Sequence, residues 1–195
     1  HIFKTECLVQ NVTKQNDIFK IETNTESVYA KKVVVASGGI SYSQIGATNI
    51  ASKIAKNFGL KTFPLVPALA GIRYPENIEF DFSSLSGIAI TAKAQIEKRQ
   101  FTDQLLFTHR GFSGPLALNL SLFVNGKIQI IFNFLPEVDV ENLIQKEKTS
   151  KKSLINILSE FLPKSLVKVL LKEKDYNLSQ IKKTEIEEIA KTFNH

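Results

Sequence analysis

The nine glycines of this 195-residue chain divide it into regions of different character. All of them lie between Gly38 and Gly126, and none precedes or follows that interval. The part after Gly126 is rich in Lys, Glu, Leu and Ile, a composition typical of helices. The part before Gly38 is rich in β-branched residues and turn signals, which predict strands. The chain is therefore predicted to have an α+β fold.

The first region is predicted to form a β-ribbon, then a buried strand, a glycine loop and a helix. The run Val33–Ala36 shows no polar alternation, which is typical of a strand covered on both faces of an α/β sheet. Ser37-Gly38-Gly39 ends this run, and apolar residues at helical spacing follow over 49–58. Open α/β sheets bind ligands at the carboxyl ends of their strands. The loop is thus a candidate contact for a dinucleotide cofactor, with a plain tight turn as the alternative.

Two further regions follow, a small β subdomain and a helical one. Strands are predicted at 87–99, 104–108 and 126–135, with a short helix beginning at Gly114-Pro115. The predicted domain boundaries are 1–62, 63–136 and 137–195. Predicted helix starts in the last region are Asp139, Ser150 or Ser153, and Pro163, and Thr184 with Glu187 has the spacing of a capping box.

The segment Phe107–Pro115 gathers most of the groups that could carry chemistry. It holds the one interior histidine, His109, beside Arg110, with the hydroxyls of Thr108 and Ser113, ahead of a predicted helix N-terminus. Histidine can exchange a proton near neutral pH. One interpretation is a site in which His109 donates a proton, Arg110 clamps an anion, and Thr108 and Ser113 contact substrate. The other is a structural turn in which the two hydroxyls cap the backbone, and the sequence leaves both open.

Charge and composition set the expected partners. The net charge of +6 is spread along the chain, and there are only three arginines, Arg73, Arg99 and Arg110. Nucleic-acid faces usually concentrate arginine and lysine, so the sequence predicts a small-molecule substrate and no nucleic-acid partner. A basic RNA-binding domain remains a minor alternative. No apolar run is long enough for a bilayer, and no metal-ligand cluster is present, so we expect a cytoplasmic location, no membrane contact and no metal.

Five segments carry motifs in an order and at a spacing that match one known family: Ala36-Ser37-Gly38-Gly39, Ser41-Tyr42, Gly46-Ala47-Thr48, Pro67-Ala68-Leu69 and Phe107–Pro115. Together they resemble the HI0933-like family of bacterial FAD-dependent flavoproteins, often described as NAD(P)/FAD-dependent or aminoacetone-oxidase-like oxidoreductases. Three positions depart from the family pattern: Ser37 stands for Thr, Ser43 for Pro, and Asn49 for a glycine. The third departure weakens the case for a cofactor contact at Gly46.

This resemblance implies a partial Rossmann-like FAD domain carrying an inserted β-barrel-like subdomain and a helical subdomain. It implies FAD, with NAD(P)H as a candidate electron donor, and contacts to FAD near Val9, Ala36, Ser37, Gly38 and Gly39. The G-x-G-x-x-G fingerprint is absent, and the chain has no methionine and starts at His1. We therefore expect further N- and C-terminal segments of the same polypeptide, without which the chain would not bind FAD. The predicted function is part of an FAD-dependent oxidoreductase acting on a small molecule, with a stand-alone interaction module bearing a vestigial cofactor site as the alternative.

Overall fold

The computed structural model describes residues 2–124 and 126–194. They form two compact units, divided between Leu65 and Val66. No helix within these ranges is long and apolar enough to cross a membrane.

The first unit is built around a three-stranded antiparallel meander. Its strands pair in chain order, with a tight turn at Asn16 and Asp17 where φ is positive. A helix packs on the meander. The Asn57 amide of this helix donates to Asn11 Oδ1 of the first strand at 3.0 Å, and the ring of Phe58, just after the helix, lies 5.9 Å from the ring of Phe19 in the second strand. The elements are β1 (Val9–Gln15), β2 (Ile18–Thr23), β3 (Ser27–Ala30) and α1 (Ile50–Asn57).

The run Val33–Ala36 differs from its expected place as a buried central strand. It pairs with no strand among the described residues, and Val34 and Val35 are 89% and 44% exposed. The apolar pattern predicts that the run is covered, but a ladder also requires neighbouring strands, and β3 already ends at Ala30. The run leads directly into the glycine loop.

The second unit combines a five-stranded antiparallel sheet, curled into a half-barrel, with five helices of the described ranges. Strand order is β4-β7-β6-β5-β8. Alternate residues of β5, from Ile90 to Ile96, are buried, as a sheet with one covered face requires. The strands are β4 (Ile72–Arg73), β5 (Ala89–Ile96), β6 (Arg99–Phe107), β7 (Gly111–Ser113) and β8 (Ile130–Asn133).

The helices of this unit share one hydrophobic core with the sheet. Asp139 caps its helix as predicted, and of the two candidates Ser150 and Ser153 it is Ser153 that caps the next one. Each accepts a hydrogen bond from the backbone amide three residues on. Asn194 ties the last helix to the segment that follows the last strand by donating to the Leu135 and Val138 carbonyls, each at 3.0 Å. The α+β prediction with a barrel-like part is confirmed. The helices are α2 (Gly114–Ser121), α3 (Val140–Lys146), α4 (Leu154–Leu158), α5 (Lys164–Leu170) and α6 (Lys183–Asn194).

Candidate functional site

Thr108 closes a tight turn between β6 and β7. Its backbone N–H and its hydroxyl both donate to the Gly111 carbonyl, at 2.9 and 2.7 Å. The Arg110 N–H in turn donates to the Thr108 hydroxyl oxygen at 3.3 Å. The hydroxyl hydrogen is thus used by the turn itself, so any substrate contact of Thr108 has to be made to its oxygen.

His109 and Arg110 lie at the tip of this turn and are exposed. Within residues 2–124 and 126–194, neither side chain makes a hydrogen bond or ion pair of standard geometry, whereas the backbone groups of Thr108, Arg110 and Gly111 make the hydrogen bonds of the turn. Ser113 is half-buried at the start of α2, and its hydroxyl makes no capping bond to the helix. The turn therefore holds an imidazole and a guanidinium in solvent on a fixed backbone.

Tyr74 is a member of this site that sequence reasoning missed. Its hydroxyl donates to the Thr108 carbonyl at 3.0 Å, and its N–H donates to the Arg110 carbonyl at 3.1 Å. Its ring packs edge-on against Phe112 with ring centres 5.0 Å apart. Burial raises the pKa of the Tyr74 hydroxyl to about 12. In the sequence, Tyr74 stands out only because it precedes Pro75. That position favours an extended backbone, but it does not indicate what the hydroxyl contacts.

Gly111 allows β4 to lie flush against the turn. A Cβ atom there would come within 2.0 Å of the Ile72 carbonyl oxygen and 2.7 Å of the Arg73 Cα. Contacts that short do not occur, so only glycine fits between these backbones. Gly111 therefore has a packing role, because its missing side chain lets Arg73 of β4 pair directly with it.

The predicted cofactor loop forms a separate pocket in the first unit, with a volume of about 330 Å³. Gly38 adopts the left-handed conformation with φ +69°, and the positions where Gly38 and Gly39 would carry a Cβ are open. Of the predicted contacts, Ser37, Gly38 and Gly39 line the pocket, while Val9 in β1 and Ala36 do not. The remaining lining residues are Ser41, Tyr42, Ile45, Gly46 and Ala47.

This pocket fits one portion of a dinucleotide cofactor. Its volume lies at the lower end of the range for ligand sites. A ligand can approach the backbone of Gly38, Gly39 and Gly46 closely, because no atom lies within 4 Å of the positions where these residues would carry a Cβ. Gly46 lines it in spite of the departure at Asn49. The two glycine segments, separated in sequence, therefore face one cavity.

A larger groove of about 850 Å³ lies in the second unit. Aromatic side chains of the sheet and three lysines, Lys172, Lys174 and Lys191, contribute to its walls. None of the predicted site residues lines it, but Phe112 of the turn motif does. The turn is thus anchored to one wall of this groove.

Tyr74→Phe is expected to lower the free energy of unfolding by about 1 kcal/mol at pH 8, because the Thr108 carbonyl loses its hydroxyl donor. The pKa of a tyrosine in the unfolded chain is about 10, below its folded value of about 12. The stabilisation is thus fully present below pH 10 and is lost as the pH rises towards 12. Urea unfolding of both proteins at several pH values measures the difference.

Tyr29→Phe provides the control, because Tyr29 is 66% exposed and its replacement should change stability by less than about 0.5 kcal/mol. If the difference in the free energy of unfolding between wild type and Tyr74→Phe stays constant from pH 8 to pH 12, the Tyr74 hydroxyl does not make the described hydrogen bond to the Thr108 carbonyl.

The sequence model of the HI0933-like protein barrel and H2TH domain matches residues 66–195, the same residues as the second compact unit. The chain belongs to this family, and the resemblance seen in its motifs is confirmed.

Curated relatives extend the comparison over most of the chain. A ribosomal RNA dihydrouridine synthase of Escherichia coli is 33% identical over 86% of the chain, and one of Haemophilus influenzae is 33% identical over 91%. A 3-dehydro-bile acid delta(4,6)-reductase of Clostridium scindens is 22% identical over 89%. The chain spans 43%, 45% and 46% of the lengths of these relatives, respectively.

These relatives correct the predicted substrate and partner. The prediction of a small-molecule oxidoreductase without a nucleic-acid partner is wrong, because the two 33% identical relatives are named for action on ribosomal RNA. The alternative of a stand-alone interaction module gains no support from relatives that are enzymes. The error arose from reading three scattered arginines as a sign against nucleic acid.

Proposed function

We propose that the whole protein to which this chain belongs reduces uridines of ribosomal RNA to dihydrouridine, with a flavin as cofactor. The observation that carries this proposal is the 33% identity to two ribosomal RNA dihydrouridine synthases over 86% and 91% of the chain. The similarity therefore includes both the glycine loop of the first unit and the turn of the second.

The reaction adds two hydrogens across the C5–C6 double bond of uracil. This bond is conjugated to the C4 carbonyl, so C6 accepts a hydride and C5 then takes a proton. The name of the bile-acid relative also describes reduction of a double bond, in a compound with an oxidised C3. Both reductions need a hydride and a proton, so one type of active site could serve both kinds of relative.

The pocket at Ser37, Gly38 and Gly39 is the proposed cofactor contact. When bound, a flavin supplies the two electrons for the reduction. We propose FAD as the flavin and NAD(P)H as the reductant, as the family resemblance implies. Val9 and Ala36, which lie outside the pocket, remain predicted contacts of the same cofactor.

The turn at Thr108–Ser113 is the proposed substrate side. His109, exposed and with no protein partner in the described residues, is the proposed donor of the proton that C5 requires. Arg110 contacts an anion, which in RNA is a phosphodiester rather than a small acid. Thr108 through its oxygen and Ser113 through its free hydroxyl complete the contacts to the nucleotide.

An in vitro assay tests the function. Ribosomal RNA from a strain lacking the gene, incubated with the purified whole protein and NAD(P)H, should gain dihydrouridine, measured by mass spectrometry of the digested nucleosides. Omission of NAD(P)H is the control and should give none. A flavin-loaded protein that leaves every uridine of this RNA unreduced, with either nicotinamide cofactor, would refute the proposal.

A further inference from the structure

We propose that the 850 Å³ groove of the second unit binds a nucleotide of single-stranded RNA other than the target uridine. The base of this nucleotide lies against aromatic rings of the groove, and its phosphate contacts Lys174 and Lys191. This inference rests on the proposed function and deepens it, because it gives the RNA a second point of attachment beyond the turn at Thr108–Ser113. It concerns the described residues of the second unit alone.

Aromatic side chains form a continuous part of the groove lining. Phe80, Phe132 and Tyr176 line the groove and are half-buried, so part of each side chain is accessible. The Phe80 ring centre lies 5.8 Å from that of Phe82, and the Phe132 ring centre lies 4.8 Å from that of Phe112. Phe82 and Phe112 are buried, with ring centres 5.7 Å apart. The accessible rings are therefore held in place by the hydrophobic core.

The groove also holds positive charge that the protein does not neutralise. Three lysines line it against two carboxylates, Glu79 and Glu188, which leaves a net charge of +1. Lys172 forms an ion pair with Glu79 at 2.5 Å. Lys174 and Lys191 are exposed, and neither forms an ion pair among the described residues. These two ammonium groups are therefore available to a ligand.

Lys172 serves the wall of the groove rather than the ligand. Its ammonium group lies 5.6 Å from the centre of the Phe80 ring and pairs with the neighbouring Glu79. One face of Phe80 is thus already covered by a cation. Phe132 and Tyr176 remain as the proposed surfaces for a base.

Aromatic rings beside unpaired cations are the combination that recognises single-stranded nucleic acid. Any base can stack on an aromatic ring, and lysine contacts the phosphate of the backbone. The volume of the groove, about 850 Å³, lies within the range for ligand sites. A purely apolar ligand would fit the rings but would leave Lys174 and Lys191 without a partner. The lining therefore favours a nucleotide.

Tyr74 links the groove to the turn at Thr108–Ser113. Its hydroxyl donates to the Thr108 carbonyl at 3.0 Å, and its ring centre lies 5.0 Å from that of Phe112 and 5.8 Å from that of Phe82. Both phenylalanines line the groove, and so does Pro75, the residue after Tyr74. The groove thus begins at the segment that supports the proposed substrate side, so one RNA strand can contact both.

The test measures binding of the flavin-loaded whole protein to unmodified ribosomal RNA at several salt concentrations. Lys174→Gln and Lys191→Gln should each raise the Kd about ten-fold, as expected for the loss of one charge-assisted hydrogen-bonded contact. Each should also lower the slope of log Kd against log salt by about 0.7, the value for one phosphate of a single strand. Lys182→Gln is the matched control and should leave both unchanged, because Lys182 is exposed and does not line the groove.

Two variants of Tyr176 test the contact with the base. Tyr176→Leu should raise the Kd about ten-fold with an unchanged salt slope, because it removes a stacking surface and no charge. Tyr176→Phe keeps the ring and should bind as the wild type does. Thermal unfolding shows whether each variant is folded. If Tyr176→Leu does not fold, the two lysine variants decide the question, because their side chains are exposed.

Two results would overturn this inference and leave the proposed function standing. In the first, Lys174→Gln and Lys191→Gln give the same Kd and slope as Lys182→Gln. In the second, they leave RNA binding unchanged but raise the NAD(P)H concentration needed to reduce the flavin without RNA, so that the groove holds the nicotinamide nucleotide instead. A wild-type protein that neither binds nor reduces ribosomal RNA would refute the proposed function itself.

Discussion

Gly111→Ala is expected to separate β4 from the sheet and to lower the free energy of unfolding by about 3 kcal/mol. The added methyl group would lie 2.0 Å from the Ile72 carbonyl oxygen, so the backbone of β4 has to move. This movement would break the Tyr74–Arg110 backbone hydrogen bond and carry Arg73 away from the turn. Chemical denaturation measures the loss of stability.

Gly87→Ala separates this clash from ordinary backbone strain. Gly87 has φ +92°, but no atom lies within 4 Å of the position its Cβ would occupy. Its replacement should cost about 1 kcal/mol, the penalty for a side chain in the left-handed region. Equal losses for the two variants would mean that β4 does not press on Gly111 as the structure shows.

His109→Ala should reduce the rate of dihydrouridine formation by about 10² to 10⁴, the range for loss of a general acid. The imidazole lies at the tip of a rigid turn, and among the described residues no carboxylate is paired with it. Flavin content, RNA affinity and thermal stability should stay at wild-type values, since the side chain supports none of them. Single-turnover kinetics with reduced protein measures the chemical step directly.

Two comparisons separate a proton donor from a merely structural residue. Added imidazole should restore part of the rate of His109→Ala, because it can occupy the vacated space and carry the proton. Lys98→Ala, at the exposed tip of the neighbouring β5–β6 hairpin, should keep the full rate. Wild-type turnover in His109→Ala, with flavin bound, would end the proton-donor hypothesis.

Local features of the fold could be predicted from the sequence because their causes are local. Asp139 and Ser153 cap helices through bonds to amides three residues away. The last helix shows the limit of such patterns. The spacing of Thr184 and Glu187 suggested a capping box, but α6 begins at Lys183 and Glu185 accepts the Lys182 N–H at 2.8 Å. The helix already includes Thr184, so the spacing of Thr184 and Glu187 did not locate its start.

Features that depend on distant partners could not be predicted. Val33–Ala36 has the composition of a strand buried within a sheet, but composition does not show whether neighbouring strands are present to pair with it. Tyr74 reaches Thr108 across 34 positions of sequence, through the pairing of β4 with β7. The turn itself was identified, because its residue types point to chemistry, but its support from Tyr74 and Arg73 is a property of the sheet.

The chemistry of the substrate also lay beyond the sequence pattern. A histidine, an arginine and two hydroxyls suit a small anion as well as they suit a nucleotide, and net charge did not distinguish them. Only the relatives pointed to RNA. Charge has therefore to be located on the folded chain before it is used to exclude a partner.

The dihydrouridine content of ribosomal RNA in the source organism tests the central proposal most directly. Mass spectrometry of nucleosides from purified ribosomal RNA should show dihydrouridine in the wild-type strain, its loss when the gene is deleted, and its return with the wild-type gene but not with His109→Ala. Ribosomal RNA with the same dihydrouridine content in the wild-type and deletion strains would contradict it.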